Sequence, residues 1–179
     1  MKAGGQKAKG NAAEIAVAKL LSSWLTHGQR QDVLERSPSS GTKFTSHQKR
    51  QRDFGNIAGD LIAVAEEGNC LISRFVIEVK HRNEEGININ GLVFRTSESG
   101  VIAFWKKLLM ECKQTQKLPM LIFKQNNRPL LLGLCKEGVE LFEYQKYNHA
   151  VFKIGSKSMY LSPFMEFLVK ASPDVLLKR

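Results

Sequence analysis

Hydrophobic positions along the chain recur with helical spacing in three places. Apolar side chains between about Asn11 and Thr26 fall on one broad helical face, and Gly28 follows as a stop signal. A second amphipathic helix is predicted from Ser99 or Gly100 to about Gln116, and a last one near residues 162–171. These three segments predict the helical layers of the fold.

Alternating and short continuous apolar runs predict strands between these helices. The predicted strands are 31–36, 60–65, 70–80, 119–124, 129–135 and 150–154. The polar "EEGN" at 66–69 is typical of a turn, so we expect the second and third strands to form a hairpin. This order predicts an α/β protein with a mixed central β-sheet flanked by helices.

Polar stretches divide the chain. Residues 1–10 are rich in Gly and Lys and are predicted to form a flexible basic arm. Residues 37–59 form a long basic loop, and loops of this length in compact domains are often functional. We therefore predict a core over 11–135 and a C-terminal extension over 136–179 that packs on it.

Charge narrows the range of partners. Lys and Arg number 27 against 17 Asp and Glu, for a net charge of +10, which favours binding to nucleic acid. No apolar run approaches the roughly 20 residues that span a bilayer, so we expect no membrane partner.

The widely spaced Cys70, Cys112 and Cys135 are interpreted as small buried hydrophobic residues in a reducing compartment. We expect an intracellular protein that acts in the cytoplasm. A phage-encoded protein that acts in the cytoplasm of its host fits this expectation equally well.

The strand "RFVIEVKHR", residues 74–82, carries charges among apolar positions. Because side chains alternate along a strand, Glu78 and Lys80 project from the same face. The predicted hairpin places Asp60 opposite Glu78, where two carboxylates would repel each other. Mg²⁺ or Mn²⁺ would remove this repulsion, and Lys80 could then orient or deprotonate a metal-bound water. The alternative is a solvent-facing pair of Glu78 and Lys80, with Asp60 merely starting a strand.

Glu14 is a further candidate, with two open interpretations. On a helical projection it lies near the edge of the apolar face, which directs its carboxylate toward the core or the lip of a cleft. The spacing Asn11-x-x-Glu14 also fits a capping box, in which Glu14 bonds to the Asn11 amide. Glu14 therefore either caps its helix or approaches the metal site.

A Glu on a helix (Glu14), then Gly59-Asp60 at the start of a strand, then Glu78-Val79-Lys80 on a later strand together resemble the core of the PD-(D/E)xK nucleases. Within that superfamily the chain most closely resembles the archaeal-type Holliday-junction resolvases. The resemblance covers about residues 9–135. The matching segments are "KGNAAEIAVAKLLSSWLTHG", "RSPSSG", "GDLIAV", "FVIEVKHR" and "LPMLIFK". It implies a restriction-endonuclease-like core and a homodimer that acts on four-way or other branched DNA.

The resemblance also implies roles for individual residues. A magnesium or manganese ion would be held by Glu14, Asp60 and Glu78, and we add the carbonyl of Val79 as a further candidate ligand. Lys80 would assist catalysis, and Ser39 or Ser40 would approach the scissile phosphate. Apart from the resemblance, basic residues beside such a site are expected to contact the DNA backbone without sequence readout; they are Lys43, Lys49, Arg50, Arg52 and Arg82.

Three features depart from the resolvase pattern. Gly59-Asp60 stands where Pro-Asp is usual, the loop from Ser40 to Asp60 is longer and more basic, and residues 136–179 have no evident counterpart. The expected function is a Mg²⁺-dependent endonuclease for branched DNA. The alternatives are a single-strand, end-acting or restriction-like nuclease of the same fold, and a non-catalytic basic DNA-binding protein.

Overall fold

The computed structural model describes residues 4–38, 58–83, 85–94, 100–146, 149–155 and 157–177. Its helices are α1 (Gly4–Leu25), α2 (Glu66–Ile72), α3 (Ile89–Val93), α4 (Gly100–Thr115), α5 (Lys136–Leu141) and α6 (Phe164–Lys170). Its strands are β1 (Leu34–Arg36), β2 (Leu61–Ala63), β3 (Phe75–Arg82), β4 (Leu118–Gln125), β5 (Leu131–Leu134), β6 (Ala150–Ile154) and β7 (Lys157–Pro163). Short 3₁₀ turns follow at Tyr144–Lys146 and Pro173–Leu176.

The main sheet is mixed and five-stranded, in the order β3-β4-β5-β7-β6. β3 and β4 run parallel, and the other neighbouring strands run antiparallel. A parallel pair needs a crossover connection, and the segment containing α4 provides it. The predicted α/β architecture, a mixed sheet flanked by helices, is confirmed.

The two faces of β3 pack against different helices. Phe75, Ile77 and Val79 belong to one hydrophobic core, which α1 covers with Val17, Leu21 and Trp24. Val76 belongs to the other, which α4 covers with Val101, Trp105 and Leu108. The predicted alternation along β3 is therefore confirmed, and Glu78 and Lys80 continue the face directed toward α4.

The predicted hairpin between residues 60–65 and 70–80 is wrong. Residues 66–72 form α2 instead of a turn, and β2 pairs antiparallel with β1, with Leu34 opposite Ala63. Two acidic residues in the first turn of α2 suit the positive end of the helix dipole, and Leu71 and Ile72 are buried. Gly68 allows the close packing, because a Cβ there would lie 2.4 Å from the carbonyl oxygen of Val33.

Helix α1 begins at Gly4, seven residues before the predicted start. Residues 4–10, predicted as an arm, are therefore helical, and their Gln, Lys and Ala residues are good helix formers. Asn11 lies inside the helix, so it cannot cap the N-terminus, and the capping box with Glu14 is wrong. Neither α1 nor any other helix within the described ranges is long and apolar enough to cross a bilayer.

The C-terminal segment contributes to the same sheet and the same core as α1. β7 is hydrogen-bonded to β5, and β6 to β7. The ring of Trp24 in α1 lies 5.8 Å from that of Phe142 and 5.4 Å from that of Phe167. The described part of residues 136–179 therefore completes the fold that supports β3.

All three cysteines are free thiols. Cys112 and Cys135 are buried as predicted, whereas Cys70 is only partly buried. Burial raises the pKa of the Cys112 thiol to about 12 and that of Cys135 to about 11, so both are protonated at neutral pH. These two residues act as small hydrophobic side chains.

Candidate active site

Asp60 is joined to the backbone of β3 by two hydrogen bonds and not by pairing of two strands. Its backbone N–H donates to the carbonyl of Ile77 at 2.7 Å. Its carboxylate Oδ2 accepts the backbone N–H of Val79 at 2.8 Å. The carboxylate is thereby held beside Glu78, so the predicted proximity of the two acids is present although the predicted pairing is not.

Gly59 makes this approach possible. Its φ is +90°, and a Cβ built on it would lie 2.6 Å from the carbonyl oxygen of Ile77. Its N–H donates to Oε1 of Glu111 in α4 at 3.3 Å. Proline fixes φ near −65° and has no N–H, so it fits neither this backbone conformation nor this hydrogen bond. The replacement of Pro-Asp by Gly-Asp in this chain thus has a direct structural reason.

Lys80 places its ammonium group among three oxygen atoms. Its Nζ lies 2.9 Å from Oδ2 of Asp60, 2.7 Å from Oε1 of Glu78 and 3.0 Å from the carbonyl oxygen of Val79. The Lys80 side chain is 14% exposed, and both carboxylates are buried. The predicted alternative, a solvent-facing pair of Glu78 and Lys80, is therefore wrong.

The two carboxylates change the protonation behaviour of this cluster. Burial raises the pKa of Glu78, and the negative charge of Asp60 raises it further, against the opposing effect of Lys80 and Lys107. Burial alone would lower the pKa of Lys80, but the charges of Glu78 and Asp60 outweigh burial and raise it. Lys80 is therefore an ammonium ion at neutral pH in this arrangement, which makes it a hydrogen-bond donor and not a base.

The oxygen atoms around Lys80 are chemically suited to a hard divalent cation. Mg²⁺ prefers oxygen ligands and is commonly held by one or two carboxylates while it keeps several waters. Asp60 and Glu78 supply two such carboxylates, and the carbonyl of Val79 supplies a third oxygen. The ammonium of Lys80 shows that positive charge is stabilised at this position, so the donor set fits the predicted metal.

Glu14 is buried, as its position near the apolar face predicted, but its contact is with Arg36. Oε2 of Glu14 accepts a hydrogen bond from Nε of Arg36 at 2.5 Å. Among the residues that the structure describes, no three His, Cys, Asp or Glu side chains lie close enough to hold one metal ion. Glu14 is thus not brought together with Asp60 and Glu78 as a third metal-binding carboxylate.

Sequence reasoning missed Arg36, the last residue of β1. The next residue, Ser37, donates its N–H to the backbone carbonyl of Asp60 at 2.8 Å, so the Glu14–Arg36 pair lies near the backbone of Asp60. A buried carboxylate is costly without a charged partner, and this rule was the available signal that Glu14 must have one. It could not identify Arg36, because the contact depends on the packing of β1 against α1.

Helix α4 also supplies side chains that the sequence analysis did not select. The ring of Phe104 lies 6.0 Å from Nζ of Lys80, and Nζ of Lys107 lies 3.9 Å from Oε1 of Glu78. Glu111 accepts the N–H of Gly59. These three residues recur at spacings of three and four, which places them along one side of the helix. That face of α4 therefore forms one wall of the site.

The predicted DNA contacts fall mainly outside the described residues. Arg82, at the end of β3, donates from Nη1 to the carbonyl of His81 at 3.0 Å. A Cβ built on Gly10 of α1 would lie 3.9 Å from the same Nη1. The candidates that lie outside the described residues are Ser39, Ser40, Lys43, Lys49, Arg50 and Arg52.

Comparison with known families supports the interpretation of this site. The model of a family described as "Phage putative PDDEXK endonuclease" matches residues 5–170. The match includes α1, β2 and β3, and it continues past residue 135 through β6 and β7. Comparisons with curated proteins and with solved structures found no match.

Proposed function

Since the chain belongs to the phage PD-(D/E)xK endonuclease family, DNA is its substrate, and we propose that it cleaves DNA with Mg²⁺ at Asp60 and Glu78. One observation carries this proposal. Two buried carboxylates and a carbonyl surround the Lys80 ammonium at 2.7 to 3.0 Å. A buried anionic cluster needs a compensating cation, and at this family's site a divalent metal is the suitable one.

Each residue has a role that follows from its position. Asp60, Glu78 and the carbonyl of Val79 would hold the ion, which supplies an activated water and stabilises charge on the phosphate. Lys80 then no longer has to neutralise both carboxylates. Its ammonium would then be available to donate hydrogen bonds to the water or to a phosphate oxygen.

We extend the proposal to the substrate. The resemblance of residues 9–135 to the archaeal-type resolvases favours branched DNA, such as a four-way junction, and two copies of the chain acting together. The net charge of +10 favours tight contact with the phosphate backbone. The loop cations Lys43, Lys49, Arg50 and Arg52, together with Arg82, would hold the duplex arms, and Ser39 or Ser40 would approach the scissile phosphate.

The test compares cleavage of a four-way junction, a duplex and a single strand, with Mg²⁺ or with EDTA. We expect Asp60→Asn and Lys80→Ala to cut at least about 100-fold more slowly, the size of effect seen when one electrostatic stabiliser is removed. Asp32→Asn is the matched control, because Asp32 is an exposed carboxylate that is also paired with a cation, Arg30. We expect it to retain activity.

Each outcome decides a separate part of the proposal. Wild-type protein that binds DNA but cuts none of the three substrates contradicts the metal-dependent cleavage itself. Equal cutting of linear and branched DNA removes only the junction preference. Paired symmetric nicks across a junction support a dimer with two active sites, and single unpaired nicks oppose it.

A further inference from the structure

The wall that α4 forms beside the carboxylates carries a second lysine. Lys107 lies one turn from Phe104, whose ring is near Lys80, and one turn from Glu111, which is bonded to Gly59. Contacts on both sides of Lys107 therefore fix this part of α4 against the site. The Nζ of Lys107 reaches to 3.9 Å from Oε1 of Glu78.

We propose that Lys107 is a DNA-contacting residue of the active site, which binds a backbone phosphate next to the metal-binding carboxylates. This inference rests on the proposed function, because it assumes that DNA reaches Asp60 and Glu78. It adds a residue from α4, outside the strand and loop motifs of the sequence analysis.

A purely structural role as the partner of Glu78 does not account for Lys107. The same oxygen, Oε1, already has Lys80 at 2.7 Å, whereas Lys107 is at 3.9 Å and its side chain is 68% exposed. Ion pairs this exposed and this long contribute little or nothing to stability. Lys107 therefore brings a positive charge to the edge of the site without being committed to a contact there.

The charge balance of the site favours a phosphate as the missing partner. Three carboxylates, those of Asp60, Glu78 and Glu111, line the site together with two ammonium groups, those of Lys80 and Lys107. Addition of a divalent cation leaves this cluster with excess positive charge. A phosphodiester would be attracted by this positive charge, and the attraction would strengthen as negative charge on the phosphate increases toward the transition state. The exposed Lys107, on its flexible stem, can turn from Glu78 to such a phosphate at small cost.

The test uses Lys107→Ala, with Lys106→Ala as the matched control. Lys106 is the neighbouring exposed lysine on the same helix, so both variants lose one charge from the same element. DNA binding is measured against salt concentration in an Asp60→Asn background, and single-turnover cleavage is measured with Asp60 intact. Thermal unfolding checks that each variant is folded.

We expect Lys107→Ala to reduce the slope of log K against log salt by about 0.9, the value for one lost phosphate contact on duplex DNA. We also expect it to cleave at least about tenfold more slowly, because it loses a charge beside the carboxylates of the site. Lys106→Ala should stay within about twofold of wild type, because within the described residues Glu78 is paired with Lys80 and Lys107 and not with Lys106. Lys107→Arg should restore the slope, because it keeps the charge. A structural role of Lys107 would not change the salt slope.

The inference and the proposed function fail in different ways. If wild type cleaves DNA and the two lysine variants behave alike in slope and rate, only the assignment of Lys107 is overturned. If wild type never cleaves, the proposed function fails, and the salt slopes alone then decide for or against a phosphate contact at Lys107.

Discussion

Replacement of Gly59 by alanine tests how the site is positioned. An alanine Cβ at this residue would lie 2.6 Å from the carbonyl oxygen of Ile77 and 3.0 Å from the backbone nitrogen of Ile77. Even close C–H···O contacts have carbon–oxygen distances of about 3.3 Å, so the backbone at residue 59 must move by about 0.7 Å. The neighbouring atoms belong to the backbone of β3, which is paired with β4 and packed in a hydrophobic core on each face, so it cannot yield easily.

The expected cost has two parts. A non-glycine residue at φ of +90° costs roughly 1–2 kcal/mol. A shift of about 0.7 Å also stretches the bonds from Asp60 to Ile77 and Val79 beyond the usual range of about 2.7–3.2 Å, at roughly 1 kcal/mol each. We therefore expect Gly59→Ala to lower the free energy of unfolding by about 3–4 kcal/mol, the sum of these strain and hydrogen-bond costs.

Gly28→Ala separates the two parts. Gly28 has a φ of +86°, but no atom lies within 4 Å of a Cβ built there, so only the backbone strain of roughly 1–2 kcal/mol applies. Urea unfolding measures both variants, and DNA cleavage at a temperature where both are folded measures the site. We expect Gly59→Ala to lose about 100-fold in rate, because a misplacement near 1 Å can cost that much. Equal stability losses, or full activity of Gly59→Ala, would refute the reasoning.

Two further predictions concern the buried charge and the aromatic core. The pKa of Glu78 is raised above its ordinary 4.5, so the folded state binds more protons just above that pH and the free energy of unfolding falls as pH rises. Glu78→Gln should therefore be more stable than wild type at pH 8 and equally stable near pH 4, and it should be inactive. Thermal unfolding at both pH values measures the difference in stability. A variant that is less stable than wild type at pH 8 contradicts the prediction. Phe142 packs 5.0 Å from Phe167 and 5.5 Å from Phe75, so Phe142→Ala should lose about 3–5 kcal/mol in urea unfolding. Val169→Ala, at an 82% exposed position, should stay within about 0.5 kcal/mol, and similar losses in both would show that the C-terminal segment is not core.

Features that depend on local periodicity were predictable from the sequence. The faces of β3 follow from strict alternation, which fixes Glu78 and Lys80 on one side whatever the strand pairs with. The bounds of α4, Gly100–Thr115, follow from an apolar face that the helix buries against the sheet. In both cases one short segment contains all the information that the inference uses.

Features that depend on long-range packing were not predictable. "EEGN" is compatible with a turn and with the start of a helix, and the choice is made by the contact of Gly68 with Val33, more than thirty residues away. Arg36 and Lys107 entered the site for the same reason. Each is an ordinary basic residue in its own segment, and only the tertiary fold brings it to a buried carboxylate.

The route by which Asp60 reaches β3 has a consequence for how the site must be tested. Within the described ranges β3 has a strand partner, β4, on one side only. At the other edge of β3, the side chain of Asp60 accepts the N–H of Val79, and the backbone N–H of Asp60 donates to the carbonyl of Ile77. Asp60 therefore forms the hydrogen bonds that a neighbouring strand would otherwise make with these two backbone groups. Asp60→Ala would therefore expose the edge of β3 as well as remove a charge, and its inactivity would be uninformative. Asp60→Asn keeps an oxygen that can accept the Val79 N–H, so a loss of cleavage in that variant reports on the charge alone.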